Sequence, residues 1–289
     1  MSLIRFDIRV FPLAVALTAL PVMAQVTPET SAPNAAQAAP AQKTRVPDYP
    51  EPRTFTIGLF YWLSAGTQPS LYSGHKATDD ETLQNLGKSK KTPGIELSIP
   101  ITRTGEIKFE YSRTQGDGNQ TAPAALNIVD TSIARGDYLA TQYKMQRAKV
   151  SFEDLLFPHK FPVAKFRLKS LWGAQLVHIR NTVDAPLVDA TGVKETASGS
   201  KEVMLPTLGM AAEYALTPHI LLRADGSGFG LYHKADIWDA NAIISFRKGP
   251  VEVLGGARAL HFKTSPNTVE FETATFTGAF AGLRWHWGI

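Results

Sequence analysis

From Arg53 to the end of the chain, apolar side chains recur at every second position, and the gaps between these runs are alternately short and long. A period of two belongs to an extended strand with two unlike faces. In RTFTIGLFYWLS the apolar parity is Phe55, Ile57, Leu59, Tyr61 and Leu63; in PGIELSIPI it is Ile95, Leu97, Ile99 and Ile101; in EIKFEYSRT it is Ile107, Phe109 and Tyr111. Phe166, Leu168, Trp172 and Leu176 continue it, followed by Met204, Leu208, Met210, Ala212 and Tyr214. Ile220, Leu222 and Ala224 come next, then Trp238, Ala240, Ala242, Ile244 and Phe246. Two segments, Asp137–Leu155 and Val251–Thr264, have no clean parity, and a bulge in each is the expected cause.

The connections narrow the fold further. Short turns are expected at Thr102–Gly105, Phe157–Pro162, Thr217–Pro218 and Lys248–Pro250. Longer polar connections are expected at Ala65–Lys91, Gly116–Gly136, Asp184–Ser200, Gly226–Ala235 and Ser265–Val269. Short and long alternate through ten strands, as in a membrane barrel with tight inner turns and long outer loops. A soluble sandwich has no reason to sort its loops this way. The sequence therefore predicts an all-β fold: an antiparallel up-and-down transmembrane β-barrel of about ten strands, with eight or twelve also compatible with the boundaries. An even count returns both chain ends to one side.

The C-terminus is the most specific signal. Ala279, Ala281, Leu283, Trp285, Trp287 and Ile289 alternate with Gly278, Phe280, Gly282, Arg284 and His286. This run resembles the terminal strand by which the bacterial barrel-assembly machinery recognises outer-membrane proteins, with Ile289 in place of the usual Phe. Aromatics fall where girdles belong: Phe60, Tyr61, Trp62 and Trp238 towards the outer rim, Trp285 and Trp287 towards the inner. Over residues 53–289 the chain resembles small Gram-negative outer-membrane barrels of the opacity or OmpW-like general type. The resemblance implies the outer membrane, the assembly machinery as a partner during biogenesis, and contact with outer-membrane lipid and lipopolysaccharide. It implies no activity.

The first fifty residues fit that destination. Arg5 and Arg9 precede an apolar stretch, Val10 to Leu20, and Val22-Met23-Ala24 has the small residues that a signal peptidase reads. The stretch is too short for a spanning helix. Residues 1–24 are expected to be a signal peptide cut after Ala24, and residues 25–52, rich in Ala and Pro, a disordered periplasmic tail. The whole chain carries +4 and the mature part about +3, too little for nucleic-acid binding; Lys88–Lys91 is the one basic cluster and reads as a solvated loop. There is no cysteine, which excludes disulfides, thiolate metal sites and cysteine nucleophiles. No metal or cofactor is expected, and the barrel is expected to be a monomer.

If the apolar face meets lipid, the opposite face lines a lumen. It then collects Glu96, Lys108, Glu110, Lys165, Arg167, Lys169, Glu213, Arg223, Asp239, Arg247, Glu272, Arg284 and His286. Charges of both signs are expected to pair, since an unpaired buried charge is very costly. Ten strands leave a plugged or very narrow interior, and the inward Phe276 and Phe280 favour a filled one. A non-enzymatic role follows: envelope structure, surface interaction through the outer loops, or passage of a small or hydrophobic ligand. The alternative is a rim hydrolase of lipid or peptide, with His75 beside Asp79 and Asp80, and His233 near Asp236 and Asp239. Those residue types are equally ordinary on solvated loops, and the paired-acid pattern of barrel proteases is absent.

Overall fold

The computed structural model describes residues 54–64, 69–73, 83–122, 126–128, 131–157, 165–185, 195–231, 234–264 and 270–288. The expected signal peptide and tail, and His75, Asp79, Asp80 and His233, lie outside them. Ten long antiparallel strands close into a barrel: β1 (Thr54–Ser64), β4 (Lys88–Pro100), β5 (Gly105–Thr121), β8 (Tyr138–Phe157), β9 (Phe166–Ala185), β10 (Glu195–Ala215), β11 (Ile220–Leu231), β12 (Ala235–Lys248), β13 (Val251–Lys263) and β14 (Glu270–Gly288). Closure comes from β1 against β14, with Thr54 opposite Gly288 and Ser64 opposite Gly278. Above that contact a hairpin, β2 (Ser70–Ser73) and β3 (Leu83–Asn85), extends the sheet along β14. A second hairpin, β6 (Leu126–Ile128) and β7 (Thr131–Ile133), stands apart.

Register sets the shape. Strand partners lead from Ala215 through Leu221, Ser245, Leu254, Gly282, Phe60, Gly94, Ser112, Arg147 and Val177 to Val203. One circuit thus returns to β10 displaced from residue 215 to residue 203, a stagger of twelve. With ~3.3 Å per residue and ~4.8 Å between strands, that stagger tilts the strands by about 40°.

The inner turns are short because their sequences cap themselves. Thr102 Oγ1 accepts from the N–H groups of Thr104 (3.3 Å) and Gly105 (2.7 Å). Thr217 Oγ1 does the same for His219 (3.2 Å) and Ile220 (3.0 Å). Gly249, with φ of 62°, takes the left-handed position in the turn from β12 to β13.

At the outer end four expectations need correction. β5 runs on to Thr121, so the loop expected at Gly116–Gly136 begins only after it, and Lys88–Lys91, expected at the end of the solvated loop Ala65–Lys91, opens strand β4. The connection expected at Gly226–Ala235 is only residues 232–234, because the glycines belong to β11. They face outward, and a Cβ at Gly228 would sit 2.7 Å from the Trp238 side chain that lies across it. Likewise β9 and β10 run on to Ala185 and from Glu195, so the loop expected at 184–200 shrinks to residues 186–194.

Outward-facing side chains form an apolar belt: Leu59, Ile95, Phe109, Val150, Trp172, Leu208, Leu222, Ile244, Val253 and Leu283 are all exposed, one from each strand. Placed by register and tilt, the belt covers about ten residues of strand, roughly 25 Å along the barrel axis, the height of a bilayer's hydrocarbon contact. Phe166, Phe246, Trp285 and Trp287 lie at its inner edge, and Tyr61, Tyr111 and Trp238 near its outer edge. Asp154, near the inner edge, is satisfied by the Thr104 hydroxyl at 2.8 Å.

Beyond the outer edge the two faces exchange character. On β8 the buried inward residues are Leu139, Tyr143 and Met145 in the outer part, then Arg147, Lys149 and Glu153 lower down. The outward ones are Gln142, Lys144 and Gln146 and then Val150. On β13 inward Glu252 and Arg258 give way to Leu260 and Phe262, while outward Val251 and Val253 give way to His261 and Lys263. This exchange is why neither segment showed a single parity. No bulge interrupts β13, and β8 is irregular only at its inner end, between Leu155 and Phe157.

Candidate functional site

The lumen is the part of the molecule in which charge has been concentrated. Within the belt's height the inward face supplies eight cations, Lys108, Arg147, Lys149, Arg167, Lys169, Arg223, Arg258 and Arg284, and eight carboxylates, Glu96, Glu106, Glu110, Glu153, Glu213, Asp225, Asp239 and Glu252. Every one is ion-paired, in three groups.

The largest group occupies the inner half. Arg223 donates to both oxygens of Glu153 (3.0 and 2.7 Å), to Glu213 (2.8 Å) and to Asp225 (3.0 Å). Lys169 reaches Glu106 and Glu213, each at 3.0 Å; Arg167 reaches Glu213 at 2.7 Å and Lys108 reaches Glu153 at 3.0 Å. Beside the β1–β14 contact, Arg284 bridges Glu96 (2.6 Å) and Glu252 (3.0 Å). His286 Nε2 lies 2.7 Å from the same Glu252 oxygen, and its Nδ1 is 3.1 Å from Thr54 Oγ1.

The central group crosses the barrel. Lys149 from β8 donates to both oxygens of Asp239 on β12 (2.9 and 2.8 Å) and to Ser227 on β11 (2.7 Å). Arg147 meets Asp239 at 3.3 Å and also binds Glu110. Gln175 completes the set with its amide nitrogen 3.2 Å from Asp239 and its oxygen accepting from Arg147 Nε at 3.0 Å. Arg258 grips both oxygens of Glu110 (2.8 and 2.9 Å), while the rings of Phe60, Trp62 and Phe280 pack 4.8, 5.9 and 5.4 Å from its guanidinium. That cage marks the top of the charged tier. Above it the interior is mainly apolar: Met145, Ile179, Ile237, Leu260, Phe262 and Phe276 are each at most 1% exposed.

Against the sequence expectations, Glu96, Lys108, Glu110, Arg167, Lys169, Glu213, Arg223, Asp239, Arg284 and His286 line the lumen, and Lys165 and Arg247 stand at its inner mouth. Glu272 lies higher, in the apolar tier, where the Asn181 amide donates to it. Two girdle assignments are corrected. Phe60 and Trp62 point inward, Trp62 being 1% exposed, because the lipid parity of β1 is carried by Leu59, Tyr61 and Leu63. Asp239 is also corrected as a rim residue: it is buried in the central ion group and has no access to outer solvent. Asp236 does lie at the rim, 3.0 Å from His261 Nε2; that imidazole stacks on Trp238 (5.5 Å) and its Nδ1 is 2.7 Å from Thr275 Oγ1.

Reading by parity missed Glu106, Arg147, Lys149, Glu153, Asp225, Glu252 and Arg258. Five of these, all but Glu106 and Asp225, lie in the two segments where the faces exchange. Regular spacing of the charges below that exchange was the available signal. Among the described residues no group of three or more His, Asp or Glu is arranged to hold a metal. A groove of about 340 Å³, lined by Ile220, Ile244, Phe246, Val253 and Gly255, opens on the outside of the wall near the inner edge of the belt, not in the lumen.

No protein-family description matches the chain, and no curated protein does. Among solved structures it is similar to Ail, the attachment invasion locus protein of Yersinia pestis, at 10% identity over 81% of this chain and 99% of that one, with a TM-score of 0.34. It is similar to the outer membrane protein OprG from Pseudomonas aeruginosa at 10% identity over 82% and 97%, with a TM-score of 0.34. A third is the translocator domain of the autotransporter NalP from Neisseria meningitidis, at 11% identity over 82% and 90%, with a TM-score of 0.40.

Proposed function

We propose that this chain is an outer-membrane barrel of a Gram-negative bacterium, closed to ions, with a non-enzymatic role as an envelope and surface protein. The supporting observation for the membrane is the belt, roughly 25 Å tall and ringed by aromatics. The observation for closure is the lumen itself. Eight cations and eight carboxylates interlock across its section, and an apolar tier seals the space above them. An ion crossing here would have to displace protein–protein ion pairs in a water-poor interior and leave their partners unpaired, at several kcal/mol each.

The outer part of the wall supports the surface role. β5, β8, β9 and β10 rise about ten residues beyond the belt, roughly 25 Å, and carry polar side chains outward. The apolar tier supports a second reading, reception of a small apolar ligand from the outside. At its base, in the cage around Arg258, lies a fully buried indole N–H, that of Trp62, with no acceptor among the described residues.

The deciding measurement is conductance of the refolded mature chain in a planar bilayer, with folding shown on the same sample by a heat-dependent gel shift. A folded, non-conducting protein is the expected result. Stepwise ion currents from the folded wild type would overturn the closed-barrel reading, and hydrolysis of lipid or peptide would replace it with the enzymatic one.

A further inference from the structure

Just outside the belt, one pair on the exterior breaks the pattern of charge matching seen everywhere in the lumen. Lys144 on β8 and Arg180 on β9 are directly opposite one another, both outward and both exposed. Cβ atoms of such a pair are about 4.5–5.5 Å apart, and like charges there are destabilising. Neither side chain has a hydrogen bond or ion pair among the described residues. The carboxylates around them have other contacts: Glu202 lies 3.4 Å from His178 Nδ1, Asp117 pairs with Lys90, and Asp184, further out, accepts from the Thr196 hydroxyl at 2.7 Å. Arg113, also outward and without an ion pair among the described residues, adds a third cation one strand away.

Height identifies what could neutralise them. Below the pair the same strands present Val150 and Trp172, exposed at 43% and 58%, to the hydrocarbon. Lys144 and Arg180 therefore stand where acyl chains end and headgroups begin. An anion there that also has acyl chains can pack on the belt and bridge the two cations with one group. Phosphate suits the pair: the guanidinium donates two parallel N–H bonds to it and the ammonium adds a point charge.

We infer that the β8–β9 face of this barrel binds the phosphorylated headgroup of a glycolipid in the outer leaflet, lipopolysaccharide, with Lys144 and Arg180 sharing a phosphate. This rests on the outer-membrane reading above and deepens it by assigning a lipid partner to one face.

The test uses the mature chain refolded in zwitterionic detergent, reading the temperature at which the compact gel band converts to the unfolded one. Lipopolysaccharide should raise that temperature for the wild type. The Lys144→Gln/Arg180→Gln variant should need about ten-fold more lipopolysaccharide for the same rise. Without lipid the variant should be at least as heat-resistant, since the repulsion is gone. Wild type with dephosphorylated lipopolysaccharide should behave as the variant does with the intact lipid, which tests the site even if the variant folds poorly. Lys248→Gln, at the inner end, should respond as wild type. Equal responses from wild type and variant, or an equal rise with inorganic phosphate alone, would overturn the lipid site while leaving the membrane barrel in place. Absence of a compact band in any detergent would remove the membrane reading, and the site with it.

Discussion

At the centre of the barrel, Asp239 accepts from Lys149 and Ser227 and holds Arg147 against its second oxygen, all of them buried. An isolated buried ion pair is a poor source of stability, but removing one partner strands the other. Asp239→Asn leaves two cations sharing a neutral amide and should cost about 3–5 kcal/mol, read as a lowered urea midpoint of the heat-shifting form. Asp236→Asn, three residues of chain away but in a half-exposed pair with His261, should cost under about 1 kcal/mol in the same assay. Both acids were equally visible in the sequence, as were Trp62 and Trp238. What separates each pair is which face of a strand it occupies and at what height. Parity is legible locally; height depends on a register built from all ten strands.

Single strands of this barrel traverse two solvents. On β8 the outward side chains are polar from Gln142 to Gln146 and apolar at Val150, with the inward ones reversed. The consequence is a sharp contrast between two outward positions eight residues apart. Val150→Arg places a charge against hydrocarbon and should cost about 2–4 kcal/mol in lipid vesicles, measured by urea titration of tryptophan emission. Gln142→Arg, beyond the belt, should change stability by less than about 0.5 kcal/mol. The same reversal explains how far the sequence could be read. Strands that stay mostly within the belt, such as β1 and β12, keep one parity that the sequence shows; β8 and β13 change parity in polarity while their backbones run regularly through the exchange, β8 being irregular only at Leu155–Phe157. A bulge and a change of solvent leave similar traces in a hydropathy pattern, and only the ladder of partners tells them apart.

For the whole molecule, closure depends on residues from opposite ends of the sequence, since Thr54 to Ser64 must find Gly278 to Gly288. In hydrocarbon an unpaired strand edge leaves backbone groups with no partner, at several kcal/mol each. Deleting residues 283–289 opens both β1 and β13 along the belt and should abolish the compact, heat-shifting band altogether, even though ten strands' worth of apolar surface remains. The cap of polar side chains outside the belt has a further effect on how such a molecule reaches its place. On the outer-membrane reading proposed above, Lys144, Arg180 and Glu202 end up beyond the hydrocarbon, so an insertion from the periplasm has to drag them through it. Each passage is uphill by a few kcal/mol at the midplane, and several must be made together. A catalyst that thins the bilayer would lower that hill for the inward journey. Once it is gone the hill stands behind the protein, and the outer tips of the strands act as a barb: slow to drive in, slower to pull out.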